Sequence, residues 1–316
     1  VAALEEMLAV IPKHKGTDHL QADLKKRLAR LKEEASRPKS KKAAFDPFRV
    51  EKGGAGQVLL LGAPNSGKSA VVARMTKAAT EPTPFPFATQ APIPGMMPFE
   101  DIHVQLVDLP PVTADHFPGG LLGLIKSADG ILLVADLSSD AVLDDMESLL
   151  AHLEDGRVRL RDPARPPAAA PVPSLEDVPA GLIVTVPALL LGTKSDVAGA
   201  AERLGLVREL YEERFEPIPL STASGEGYEE FPRRVFLMLD RVRVYSKEPG
   251  KAVDRTSPFV LKRGDTVVDL AARIHRDFPE HLKQARVWGS ARFEGQAVER
   301  NYPLADGDVV ELNVDL

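Results

Sequence analysis

The amino-acid sequence predicts an α/β protein: a mostly parallel sheet covered by helices, preceded by a helical hairpin and followed by a small mixed sheet. Three observations carry this. From Gln57 onward, short apolar runs alternate with helix-length stretches, the pattern of a parallel sheet with crossover helices. The first apolar run leads directly into a glycine-containing loop and then a helix-compatible segment. Before Gln57, two runs, Leu4 to Ile11 and Leu20 to Leu31, place large apolar residues at the three- and four-residue spacings of a helix.

Each element follows in order. Leu4, Met7, Leu8 and Ile11 fall at i, i+3, i+4 and i+7, Pro12 to Thr17 break the pattern, and Leu20, Leu24, Leu28 and Leu31 resume it, with Asp18 and Gln21 set as a capping pair. The second of these helices displays Lys25, Lys26, Arg27, Arg30 and Lys32 and runs into the basic linker Arg37 to Lys42. That charge reads either as an ordinary solvated face or as a basic arm. Strands are predicted at Val58–Leu61, Ile102–Val107, Ile131–Leu137, Ala188–Leu191 and Ile218–Leu220, with a helical run from Ala70 to Lys77 behind the first. The Pro- and Ala-rich segment Asp155–Ala180 reads as a loop or disordered insertion. The last part is a strand at Phe259–Leu261, a Gly264-Asp265 turn, a helix through Ile274, a strand at Ala285–Trp288 with Trp288 in the core, and a final strand Val309–Val314. Composition shifts divide the chain into residues 1–49, 50–250 and 251–316.

Composition limits the function classes. The 316 residues carry 40 Lys+Arg against 46 Asp+Glu, a formal net charge of −6, with 44% hydrophobic and 27% charged residues, a profile of globular domains. The charge is uneven: +5 over 1–49, −10 over 50–250 and −1 over 251–316, which disfavours a whole-chain polyanion binder but not a basic arm. With no cysteine, a disulfide scaffold, thiolate metal site, iron–sulfur cluster and Cys nucleophile are excluded. The seven histidines lack metal-ligand spacing. The longest apolar stretch, Gly181 to Leu191, is short and interrupted by Pro187, and no charged-then-apolar leader opens the sequence, so neither membrane insertion nor secretion is expected.

The chemistry is concentrated at the predicted strand ends. After Val58–Leu61 comes Gly62-Ala63-Pro64-Asn65-Ser66-Gly67-Lys68-Ser69, a match to G-x-x-x-x-G-K-[ST]. Such a loop, Gly62 to Ala70 here, is expected to wrap phosphates with the backbone N–H groups that its glycines allow to approach, with Lys68 able to reach the β and γ oxygens and Ser69 to ligate Mg²⁺. Asp108-Leu109-Pro110 closes an apolar strand, where an Asp holds the magnesium through water. Thr193-Lys194-Ser195-Asp196 approximates N-K-x-D, whose carboxylate accepts two hydrogen bonds from guanine that adenine cannot give. Ser221-Thr222-Ala223 stands where an S-A-x loop offers a backbone N–H to the guanine oxygen. Singly, each has a plainer reading, such as a Gly-rich turn or Asp196 capping a helix. Together, in this order at strand ends, they point to a bound guanine nucleotide.

On these motifs the chain resembles the Obg-type GTPases, and most closely the developmentally regulated GTP-binding (DRG) family. Lys13-His14-Lys15-Gly16-Thr17, leading into Leu20 to Glu33, is similar to that family's helical hairpin. Phe85-Pro86-Phe87-Ala88-Thr89 resembles its first switch, which implies Thr89 on Mg²⁺ and the γ-phosphate. Gly264 to Val267, Ile274 to Phe278, Arg286 to Ser290 and Leu304 to Val310 resemble the TGS domain, a β-grasp interaction module. The resemblance implies a P-loop GTPase domain followed by TGS, with Lys68 and Thr89 as catalytic residues. It implies a slow cytoplasmic GTPase that switches in ribosome- or translation-related processes, with the ribosome, tRNA or a translation factor as partner. The alternative is a degenerate GTPase serving as a nucleotide-responsive or RNA- or protein-binding adaptor.

Departures from the family pattern carry expectations of their own. Pro111 replaces the glycine of D-x-P-G, and a residue without an N–H cannot make the backbone bond that senses the γ-phosphate. Thr193 replaces the usual Asn, and its shorter hydroxyl is expected to steady the phosphate loop less well. Val112 is apolar where Ras-like enzymes place glutamine. The family's domain inserted within the GTPase domain is expected to be missing, with the 155–180 loop in its place. Asn65 resembles the asparagine that binds K⁺ in potassium-stimulated GTPases, or else only orders its loop.

Overall fold

A computed structural model of the chain describes residues 48–76, 91–165 and 182–315. The predicted hairpin and basic arm, the Phe85–Thr89 segment with Thr89, and most of the 155–180 stretch lie outside the described residues.

The first sheet is built on β1 (Gln57–Gly62) and β4 (Gly130–Asp136), whose residues are all buried. Strands buried on both faces read as unbroken apolar runs, which is how Val58–Leu61 and Ile131–Val134 appear in the sequence. Beside them lie β2 (Ile93–Phe99), β3 (Ile102–Asp108), β5 (Val158–Arg161), β6 (Val184–Thr193) and β7 (Ile218–Leu220). The order is β2-β3-β1-β4-β6-β5, with β7 also on β6. All pairs are parallel except the β2–β3 hairpin.

Alternation along β1 sends Leu59 and Leu61 to one face and Val58 and Leu60 to the other. The first face packs α2 (Leu121–Ser127), α3 (Val142–Asp155) and α4 (Ala200–Tyr211), through residues such as Ile125, Leu149 and Val207. The second packs α1 (Lys68–Met75) and α5 (Phe231–Leu239), through Val71, Val72 and Phe231. Crossover helices on both faces leave the carboxyl ends of β1, β3, β4, β6 and β7 together at one rim, where such sheets bind ligands.

A second sheet, in the order β11-β10-β12-β8-β9, uses β8 (Arg241–Ser246), β9 (Phe259–Lys262), β10 (Leu282–Trp288), β11 (Gln296–Val298) and β12 (Asp308–Val314). One face carries α6 (Val267–Ile274), which buries Val267, Leu270 and Ala271; the short α7 (Phe278–His281) follows it. A capping box starts α6: Asp269 Oδ2 accepts from the Thr266 N–H and hydroxyl, each at 2.7 Å.

Several expectations need correction. The start of the predicted 155–180 loop is structured: α3 runs to Asp155 and β5 forms at Val158–Arg161. β8 belongs to the second sheet, so strand pairing joins residues on both sides of the 250/251 border. Trp288 lies outside the second core. Ala285 and Val287 face α6, and alternation turns Trp288 to the opposite face, where Lys247 Nζ sits 4.7 Å from the ring centroid.

Candidate functional site

The loop after β1 turns sharply enough to fold back on its own lysine. Gly62 packs so closely that an added Cβ would lie 2.7 Å from the Val134 carbonyl oxygen. Gly67, at φ +92°, makes the left-handed turn into α1. Lys68 is buried, and its Nζ donates to the carbonyls of Gly62 at 2.9 Å and Ala63 at 2.7 Å and to Ser66 Oγ at 3.4 Å. Burial pushes the ammonium down to about 8, against the opposing pull of Asp108. An ammonium held this way has the three donors and the position at the loop's mouth that binding of an anionic oxygen requires.

Asp108 ends β3 beside the loop, because β3 pairs in register with β1 and sets Leu60 opposite Asp108. Its Oδ2 accepts from Ser69 Oγ at 2.6 Å. Two adjacent hard oxygen donors of this kind suit Mg²⁺, so the residues present fit the ion. The polypeptide after Asp108 turns inward: Pro110, Pro111 and Val112 are buried, and the Val112 N–H donates to the Gly62 carbonyl at 3.2 Å. Asn65 is exposed at φ +58° on the outer turn of the loop.

The end of β6 supplies the next motif. Thr193 is buried, and its Oγ1 lies 2.6 Å from the Ser66 carbonyl and 3.1 Å from the Ala135 carbonyl. The expected weak tether is therefore a short bond to the middle of the phosphate-type loop. Lys194 Nζ pairs with Asp136 Oδ2 at 2.6 Å. Asp196 does not cap α4, whose N-cap is Gly199. Instead, Asp196 Oδ1 accepts from Ser221 Oγ at 2.6 Å, which joins the β6 and β7 loops.

Lys68, Ser69, Asp108, Thr193, Lys194, Asp196 and Ser221–Ala223 thus lie at or just beyond the carboxyl ends of β1, β3, β6 and β7, at one rim of the sheet. Three further residues were not read from the sequence: Asp136, which anchors Lys194, and Arg74 and Tyr228, which contact Thr222. Asp136 had a signal, an Asp closing an apolar run; Arg74 had none.

The family of 50S ribosome-binding GTPases matches residues 57–160, and the TGS domain matches residues 242–313. An uncharacterized GTP-binding protein of Methanocaldococcus jannaschii is 26% identical, covering 99% of this chain and 91% of its own length. Developmentally-regulated G-protein 2 of Arabidopsis thaliana is 27% identical over 99% of this chain and 90% of its own. Developmentally-regulated GTP-binding protein 1 of Xenopus laevis is 24% identical over 99% and 97%. The Xenopus alignment spans 368 positions against 316 residues here, so that relative carries segments this chain lacks. A GTP-binding protein from Pyrococcus horikoshii OT3 superposes with a TM-score of 0.53 over 82% of this chain and 100% of that chain, at 16% identity, a likeness of fold.

Proposed function

As the chain is a GTP-binding protein of the developmentally regulated (DRG) family, a GTPase domain followed by a TGS domain, we propose that it is a slow Mg²⁺-dependent GTPase. The observation that carries the reading is the Ser69 Oγ–Asp108 Oδ2 pair, 2.6 Å apart and beside the buried Lys68 ammonium. Bound Mg²⁺ supplies positive charge on the phosphate oxygens. Ser69 and Asp108 would hold it, with Thr89, and Lys68 neutralises the β/γ oxygens. Asp196 selects guanine, its free oxygen edge being oriented by Ser221. Catalysis then rests on positioning and electrostatics rather than on a side-chain base, since Val112 is buried and apolar.

Purified protein is expected to hydrolyse GTP in Mg²⁺ and to lose that turnover in Lys68→Ala. No binding of GTP or GDP at millimolar concentration would sink the proposal. The K⁺ role of Asn65 is tested separately, by hydrolysis rates in K⁺ against Na⁺ with wild type and Asn65→Asp. Equal wild-type rates would dismiss it.

A second reading has its own support in Pro111, which has no N–H, and in Val112, whose N–H is engaged by Gly62. Under it the chain binds GTP without efficient turnover and acts as an adaptor for the ribosome, tRNA or a translation factor. Tight GTP binding with turnover no faster than in buffer would favour this reading over the enzyme.

A further inference from the structure

We propose that Arg74 is a positioning residue for guanine recognition, holding the Thr222–Ala223 peptide so that its N–H faces the base. This rests on the guanine-nucleotide reading above.

Arg74 lies in the last turn of α1, the helix that begins with Lys68 and Ser69. Its Nη1 donates to the Thr222 carbonyl at 3.0 Å. Its guanidinium carbon stands 4.6 Å from the centroid of the Tyr228 ring, a cation–π contact with a buried aromatic. The guanidinium also lies over Gly225, where an added Cβ would be 3.1 Å from Nη2. That glycine sits at φ +87°, and its N–H closes the turn on the Ser221 carbonyl at 2.9 Å. The Tyr228 hydroxyl lies 3.0 Å from Thr222 Oγ1. Thr222 is therefore held at both its carbonyl and its side chain, one residue beyond the Ser221 that bonds Asp196.

In a planar trans peptide the C=O and N–H point in opposite directions. Fixing the Thr222 oxygen toward Arg74 fixes the Ala223 N–H on the opposite side of the loop. With eight residues, α1 spans about 12 Å. One helix thus sets Lys68 at the phosphate end and braces the base loop at the other.

The test uses GDP and 6-thioguanosine diphosphate, whose sulfur is a weaker acceptor than oxygen at the same position, titrated calorimetrically. Arg74→Met keeps the stem and removes charge and donors. Its GDP affinity is expected to fall roughly tenfold, the scale of one hydrogen bond to a charged group. The thio analogue should lose less, so the gap between the two nucleotides narrows. Arg74→Lys, which keeps the charge but not the planar fork, should recover part of the gap. Tyr228→Phe, which releases the Thr222 side chain but keeps the ring, should narrow the gap in the same direction and decides the matter if Arg74→Met does not melt cooperatively. Unchanged GDP affinity in Arg74→Met, or equal losses for both nucleotides, would overturn the positioning role. A wild-type protein that binds neither nucleotide would instead remove the guanine reading beneath it.

Discussion

Thr193 carries a hydroxyl where the resemblance leads one to expect an amide, yet that hydroxyl reaches the Ser66 carbonyl at 2.6 Å. The reason is proximity: β6 ends against a loop in which Gly67 has no side chain, and an added Cβ there would lie 3.5 Å from Thr193 Cβ. A short side chain suffices when the backbone comes this close. Removing the hydroxyl in Thr193→Val leaves the buried Ser66 and Ala135 carbonyls without this donor, at a cost of about 1–3 kcal/mol. The melting temperature should fall and GDP affinity weaken, whereas Thr193→Ser should keep both close to wild type. If Val is as good as Thr, the tether is immaterial. The positions of Lys68 and Ser69 are legible because the motif's spacing fixes them wherever a strand precedes and a helix follows, and that of Asp108 because it closes an apolar run. The reach of Thr193 is not legible in the sequence, because it depends on the separation of two segments far apart along the chain.

At the scale of elements, strands that form apolar runs are legible in the sequence, whereas β2, β5, β8 and β11 are not. β1, β3, β4, β6 and β7 appear as apolar runs, although β6 extends from Val184 to Thr193, beyond its apolar centre. β2 contains Pro94, Gly95 and Pro98, residues that argue against a central strand, and it is tolerated because among the described residues it pairs only with β3, at the sheet edge. β8 did carry a signal, the strict alternation Arg241-Val242-Arg243-Val244-Tyr245, but it follows α5 after only Asp240 and was absorbed into the preceding domain. The helix of the second sheet shows how one local motif sets an element. Thr266 and Asp269 satisfy each other across the first turn of α6, and the helix buries Val267, Leu270 and Ala271. Thr266→Ala should destabilise the protein by about 1 kcal/mol, the usual value of an N-cap. Thermal denaturation measures it, and an unchanged melting curve would mean that packing alone defines this helix.

Within the unit from Pro47 to Leu316, β8 of the second sheet pairs with Asp101 and Asp129, which immediately precede β3 and β4, at the ends of those strands opposite the nucleotide rim. Arg243 of β8 is largely buried, at 13% side-chain exposure. It pairs with Asp101 at 3.0 Å, Asp306 at 2.8 Å and Glu100, and lies over the rings of Phe99 and Phe236. Tyr245 also donates to Asp101, and Arg241 pairs with Asp129 at 2.9 Å. Burial raises the Asp101 and Asp306 carboxyls, but hydrogen bonds from Tyr245 and Arg243 outweigh it and hold both below the ordinary 3.8. A folded value below the unfolded one contributes stability above pH 3.8 that is lost as pH falls through the folded values. Arg243→Ala should therefore lower stability by about 1–2 kcal/mol near neutral pH, discounted because Glu100 and Asp306 are partly solvated. The difference from wild type should shrink as pH falls below 3.8 and through the folded values, as the carboxyls of the wild type become protonated. Denaturation across that range tests it, and a pH-independent difference would mean that packing of the guanidinium stem, rather than its charge, holds the sheets together. Asp101 immediately precedes β3 and Asp108 ends it, so the seven-residue strand sets the clamp about 20 Å from the site. At that separation Arg243→Ala should leave GDP affinity within about twofold while stability falls, because additivity holds for sites so far apart. A larger loss of affinity would reveal that the docked sheet governs the nucleotide rim through β3.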